Sequence, residues 1–145
     1  MGNEGATCTA AFVAAHHNHG GGLRFLVGAC GVDPNAVDEA GSTPLPIACA
    51  MGPPDAAPVL LALGADPTVA TRNGVTPCMI AAYHSGSVPC LRALAAGGPG
   101  GALGDAVNAL DKNGRTALAL AVKYNMDEAA ACLRDELGGK RAADL

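Results

Sequence analysis

The chain has 145 residues and a formal net charge of -4. Half of its residues are apolar, yet it holds only two Phe, two Tyr and no Trp. That length gives one ordinary domain, and its interior must be built from Ala, Leu, Val, Ile and Cys rather than aromatics. The acidic balance argues against a nucleic-acid binder, which needs a basic footprint, and no apolar run reaches the ~18 to 20 residues of a membrane span.

Met1 to Ala6 lacks the charged and apolar regions of a secretory signal. The six cysteines, Cys8, Cys30, Cys49, Cys78, Cys90 and Cys132, are scattered without a C-x-x-C pair. Both features suit a reducing setting, cytosolic or nuclear, with most thiols acting as small buried hydrophobes, Cys30 among them.

Ala10-Ala11-Phe12-Val13-Ala14-Ala15 opens the chain as an apolar helix. His16-His17-Asn18-His19 follows at its end, and the imidazoles there diverge with no Cys or carboxylate at ligand spacing, so no metal site is expected. Gly20-Gly21-Gly22 is a helix-to-helix turn; it lacks the Gly-Lys-Ser/Thr ending of a phosphate loop.

Thr43-Pro44 then starts a second apolar run. Thr is expected as the N-cap, accepting a bond from a free amide of the first turn, with Pro at the first helical position. Pro46 also falls in the first turn, where amides lack intrahelical partners. Gly52-Pro53-Pro54 ends this helix near Met51. Asp55 caps another over about Ala56 to Leu63, and Gly64 stops it in the left-handed conformation. Asp66-Pro67 begins an extended return, and Asn73-Gly74 supplies a tight turn of hairpin type.

The same signal returns at Thr76-Pro77, 33 residues after Thr43, and again at Thr116 after 40. Counting back 33 from Thr43 reaches Ala10. One of the extra residues is placed near Ser85-Gly86-Ser87 and six in the Gly-rich segment 97–104, read as a loop insertion.

A 33-residue unit with Thr-Pro-Leu at its first helix resembles the ankyrin repeat. The matching residues are Thr43-Pro44-Leu45 with Ala48, Thr76-Pro77 with Ala81, the helix-end Gly64-Ala65-Asp66, and the finger Val107-Asn108-Ala109-Leu110-Asp111 with Gly114. The resemblance covers about residues 8–137. It implies an all-α solenoid of stacked helix-turn-helix units with short hairpin fingers, in a single domain of four repeats: about 8–38, 39–71, 72–111 and 112–137, with 138–145 as a C-terminal tail. Two departures stand out. The family's His after Thr-Pro-Leu is replaced by Val13, Pro46, Met79 and Ala119, which should soften the stack. The finger Asp, kept at Asp38 and Asp111, is Thr71 in the middle.

The resemblance also implies a non-catalytic protein-protein interaction module that binds its partner on the concave surface of finger tips and first helices. Counting from each unit's Thr, positions three, five, six and seven face inward, whereas eight and nine, at the helix end, face outward. The outward positions include Asn18, Met51, Tyr83, His84, Lys123 and Tyr124. Both tyrosines fall among them, and aromatics are frequent interface hot spots. The fingers add Glu39, Arg72, Asn73, Val75, Lys112, Asn113 and Arg115. Arg72, Lys112 and Arg115 with Lys123 would make one end of the groove basic, suiting a protein partner with an acidic segment. No spacing suggests a catalytic triad or paired acid and base, and no cofactor is indicated. A monomer is expected. The alternative reading makes the chain a regulatory or substrate-recruiting part of a larger enzyme or complex.

Overall fold

The computed structural model describes residues 4–51, 56–97, 103–141 and 143, with side chains from residue 9 onward except 104 and 105. Among the described residues there are eight α-helices and no strands. They are α1 (Glu4–His16), α2 (Gly20–Gly28), α3 (Pro44–Ala50), α4 (Ala56–Ala62), α5 (Pro77–Ile80), α6 (Val88–Ala96), α7 (Ala117–Lys123) and α8 (Asp127–Ala131). The odd-numbered helices stack as one row, α1 on α3 on α5 on α7. The even-numbered ones stack behind as α2 on α4 on α6, with α8 against α6.

The inner row is set by one residue type at one position. Ala15, Ala48, Ala81 and Ala121 stand five residues after Ala10, Thr43, Thr76 and Thr116, and none is more than 1 % exposed. A methyl group at that point lets short helices approach closely enough to share a core. Leu23, Leu60, Leu91, Leu94 and Leu133 fill the layer between the two rows. Position three is fully inside at Leu45, Cys78 and Leu118. Position seven is inside only in the middle of the stack, at Cys49 and Ala82. At the two ends it is His16 and Val122, both exposed, because no neighbouring helix covers them there.

The helices α3, α5 and α7 each start directly after a Thr, and two of the three Thr side chains cap. Thr76 Oγ1 accepts from the amide of Met79 (3.3 Å), and Thr116 Oγ1 from that of Ala119 (3.2 Å). Thr43 occupies the same position with the same extended backbone, but its side chain makes no cap bond. The residue that should donate, three positions on, is Pro46, which has no N–H. The Thr43 hydroxyl is therefore buried without a partner. Pro46 is harmless to the helix ladder, as expected, but it disables the cap beside it.

The extra residue of the third unit is not in the turn. It is absorbed within the helix itself: α5 widens into a π-type turn over Ala81–Ser85, a single-turn insertion of known kind. The Ser85 hydroxyl, bonded to the carbonyls of Cys49 (3.0 Å) and Ala81 (3.3 Å), anchors it to the preceding helix pair. Gly86 then reverses the chain at a φ of 59°. A similar widening, Cys132–Glu136, extends α8. The cap expected at Asp55 and most of the Gly-rich insertion lie outside the described residues.

Between helix pairs, two asparagines act as brackets. Asn35 accepts from the amide of Asp66 (2.7 Å) and donates to the carbonyl of Gly64 (3.0 Å). Asn108 accepts from the amide of Lys140 (2.6 Å) and donates to the carbonyl of Gly138 (3.3 Å). Residues 138–140, expected as the start of a tail, thus repeat the loop that follows α4, and the Thr116 hydroxyl also donates to the Lys140 carbonyl (2.6 Å). The equivalent middle position is Thr68, whose hydroxyl turns to Asp66 instead (2.6 Å).

The orphaned hydroxyl has a measurable signature. Thr43→Val should be neutral or stabilising, because it removes a buried unpaired group. Thr76→Val and Thr116→Val should each cost about 1 kcal/mol of cap stability. Pro46→Ala, which restores the missing amide, should stabilise by a similar amount. Urea denaturation of the four variants checks the sign at each position.

Candidate partner-binding surface

Three fingers project from the starts of α3, α5 and α7, each a short hairpin. Their closing bonds run from the amide of Asp38 to the carbonyl of Ser42 (2.9 Å), of Thr71 to Val75 (2.9 Å) and of Asp111 to Arg115 (3.0 Å). Adjacent fingers are zipped to each other: the Arg72 amide donates to the Ala40 carbonyl (3.1 Å) and the Lys112 amide to the Asn73 carbonyl (2.8 Å). Gly74 is needed there twice over. Its φ is 76°, and a Cβ would meet Asp111 Cα and the Leu110 carbonyl at 3.0 Å.

Inside each finger one side chain organises the turn. Asp38 Oδ1 accepts from the amides of Ala40 (2.9 Å) and Ser42 (2.8 Å), and Asp111 Oδ1 from those of Asn113 and Arg115 (both 2.9 Å). Thr71 replaces them in the middle finger with a single 3.3 Å bond from Val75. Asp111 is the most enclosed of these groups, its side chain 2 % exposed, and its other oxygen takes an ion pair from Arg115 at 2.7 Å. Burial pushes the Asp111 carboxyl up, but the Arg115 guanidinium and the backbone amides of Arg115 and Asn113 outweigh it, and the group is held below its usual range.

That pairing changes the expected basic cluster. Arg115, expected alongside Arg72 and Lys112 as a cation offered to a partner, has its charge committed within its own finger, because Asp111 stands four residues before it. The guanidinium does lie within electrostatic reach of both tyrosines. Arg72, Lys112 and Lys123 are exposed. The Arg72 stem lies on the preceding finger, where a Cβ on Gly41 would meet its Cγ at 3.3 Å.

At the ends of the third and fourth inner helices the two tyrosines meet. The Tyr83 and Tyr124 rings have centroids 5.4 Å apart at 32°, within the range of favourable aromatic pairs. Tyr83 is half-buried and packs on the core, whereas Tyr124 is 46 % exposed. Lys123 Nζ stands 5.5 Å from the Tyr124 ring centroid, and the exposed His84 ring lies 6.2 Å from that of Tyr83. The structure therefore gathers Tyr83, His84, Lys123, Tyr124 and Arg115. Arg72, Asn73, Val75, Lys112 and Asn113 follow on the adjoining fingers. Met51 is 39 % exposed at the end of α3 and Glu39 is exposed on the first finger. Asn18, expected to face outward, instead accepts a bond from the Ala56 amide (2.8 Å) through its side chain, at a positive φ of 53°.

A family model for ankyrin repeats in three copies matches residues 64–141, and one for ankyrin repeats in many copies matches residues 11–61. The chain belongs to the ankyrin-repeat family. Ankyrin repeats are generally protein-protein interaction modules and are typically non-catalytic. Among curated proteins nothing matches this chain.

The remaining candidates take other roles in the stack. His16 and His17 contact each other edge to face (5.2 Å), and His19 Nδ1 accepts from the Gly22 amide (3.2 Å), capping α2. Among the described residues no three His, Cys, Asp or Glu side chains stand together as metal ligands. No described helix is long and apolar enough to cross a membrane. Cys49, Cys78, Cys90 and Cys132 are buried. The Cys90 thiol beside it, together with burial, pushes Cys49 up, and burial pushes Cys78 up to about 12, so Cys49 and Cys78 stay protonated. Cys30 is exposed, contrary to expectation, because it lies two residues beyond α2, where the chain has already turned outward. Sequence reasoning missed the bracket role of Asn35 and Asn108. The signal was present: Asn-Ala-Val-Asp at 35–38 recurs as Asn-Ala-Leu-Asp at 108–111.

Two outcomes follow for the fingers. Thr71→Asp, which restores the second turn bond, should stabilise by about 1 kcal/mol, or about 3 °C in melting temperature. Because the Asp111 carboxyl is held low in the folded state, its contribution is complete above the unfolded carboxylate value of about 4 and is lost as pH falls through the folded value. The acid limb of the stability curve should therefore be shallower for Asp111→Asn than for the parent chain, as read by thermal melts across the acid range.

Proposed function

We propose that the chain is a single domain of four ankyrin repeats (about 8–38, 39–71, 72–111 and 112–137) and works as a non-catalytic recruiting module. Its partner is a protein that lies across the fingers and inner helix ends of the third and fourth repeats. The observation that carries this reading is the Tyr83–Tyr124 pair, with Tyr124 46 % exposed. Two rings packed against each other on a helical base offer a large contact area with little side-chain entropy left to lose.

The chemistry around the pair favours an acidic segment in the partner. Lys123 stands beside the Tyr124 ring, and Arg72 and Lys112 are exposed on the second and third fingers. Against an overall charge of -4, this local concentration of cations would orient an acidic strand and speed its capture. Arg115 serves differently: by neutralising Asp111 it holds the third finger in shape.

Affinity capture with the parent chain and with a Tyr83→Ala/Tyr124→Ala double variant tests the surface. Partners held through it should be weakened about tenfold or more in the variant, while circular dichroism stays that of a folded stack. Identical partner sets would overturn the assignment. The charge reading is tested apart from it: Arg72→Glu/Lys112→Glu/Lys123→Glu should weaken capture most at low salt, and an unchanged salt dependence would remove the acidic segment from the proposal. Arg115 is left in place in that variant, since its loss would strand the buried Asp111 carboxylate.

A further inference from the structure

Two of the finger turns carry the dipeptide Asn-Gly, Asn73-Gly74 and Asn113-Gly114. The dipeptide is chemically reactive because glycine places no side chain in the way of its own backbone nitrogen. That nitrogen attacks the Asn side-chain carbon Cγ, the bond from Cγ to the amide nitrogen breaks, and ammonia leaves. The product is a five-membered succinimide. Water then opens the ring at one of its two carbonyls, giving aspartate or, with the chain rerouted through the side chain, isoaspartate. Overall a neutral amide and water become a carboxylate and an ammonium ion, with no oxidant or cofactor involved.

In a closed finger the attack is blocked, because the glycine N–H is held inside the turn. The Gly74 amide donates to the Thr71 carbonyl (2.8 Å) and the Gly114 amide to the Asp111 carbonyl (2.9 Å). Reaction at either site requires the finger to open, and here the two sites differ. Opening at Asn73 also breaks the bond from the Lys112 amide to the Asn73 carbonyl (2.8 Å). It must further separate Gly74 from the backbone of Leu110 and Asp111, which would lie 3.0 Å from a Cβ there. Both asparagines are exposed, but no further finger stacks on the third: no heavy atom lies within 4 Å of the corresponding point on Gly114, whose turn is held from within by the Asn113 and Arg115 amides on Asp111 Oδ1. Asn73-Gly74 is packed between two neighbouring fingers and Asn113-Gly114 against one, and a segment covered on one side only opens at lower cost.

We infer that Asn113 is a site of spontaneous deamidation and isoaspartate formation, while the same dipeptide at Asn73 is protected by the finger stacked on it. The inference goes beyond the partner-binding reading and does not depend on it. The new carboxylate would stand between Lys112 and Arg115, and isoaspartate would displace the Asn113 and Arg115 amides that Asp111 Oδ1 now accepts.

The test is incubation of the purified chain at mildly alkaline pH, followed by peptide mapping that separates aspartate from isoaspartate at each site. In the folded chain product at 113 should form about twofold or more faster than at 73, because only Asn73-Gly74 has a further finger's backbone packed on it. In urea, where both fingers are gone, the two rates should converge. Asn113→Gln, which lengthens the side chain and disfavours ring closure, should abolish product at 113 and leave the rate at 73 unchanged. Equal rates in the folded chain, or faster reaction at Asn73, would overturn the inference. So would a folded chain that yields no product at 113 over a time in which the urea-unfolded chain has reacted.

Discussion

The stack depends on how closely its inner helices can approach. Ala15, Ala48, Ala81 and Ala121 form a ladder of methyl groups, each at most 1 % exposed, and everything else is fitted around the spacing they permit. Short helices such as α3 and α7, seven residues each, could not persist alone in water. They persist because each covers the next, and larger side chains at the ladder would prise them apart at a cost of about 1–3 kcal/mol each. The scarcity of aromatics in the composition is the same constraint seen from outside. A core of Ala, Leu and Cys suits closely spaced helices, and of the only two tyrosines Tyr83 packs at the edge of that core while Tyr124 is exposed beside it.

Close spacing also brings the fingers into register, which is why their backbones can bond to one another. The amides of Arg72 and Lys112 reach back to the preceding tips, so the fingers form a continuous edge rather than separate loops. Recognition built on such an edge benefits from rigidity. The tyrosine pair is likewise a product of stacking: Tyr83 sits in the widened turn after α5 and Tyr124 caps α7. It is the one-residue insertion in α5 that gives Tyr83 a helical setting of its own.

Much of this was legible in the sequence, because it is local. The Thr-Pro starts, the left-handed glycines at 64 and 74 and the 33-residue spacing each follow from backbone preferences that a few residues express. What was not legible depends on which groups meet. Thr43 reads as a cap until one asks which amide it would accept from, and Pro46 has none to give. Arg115 reads as an open cation until Asp111, four residues earlier, is found buried beneath it. Asn18 reads as an outward helix-end residue, yet it holds the start of α4, thirty-eight positions away. Cys30 reads as core because of its type, and is exposed because α2 ends before it.

The two asparagine brackets are spaced unevenly. Asn35 fastens the first helix pair to the second and Asn108 fastens the third to the fourth, while Thr68, between them, turns to its own loop. Seen as a mechanical object, the solenoid is two clamped halves with a joint at its middle, held there by the inner helices, the Ser85 hydroxyl and the finger bond from Arg72. Bending loads applied along the stack therefore concentrate at that joint.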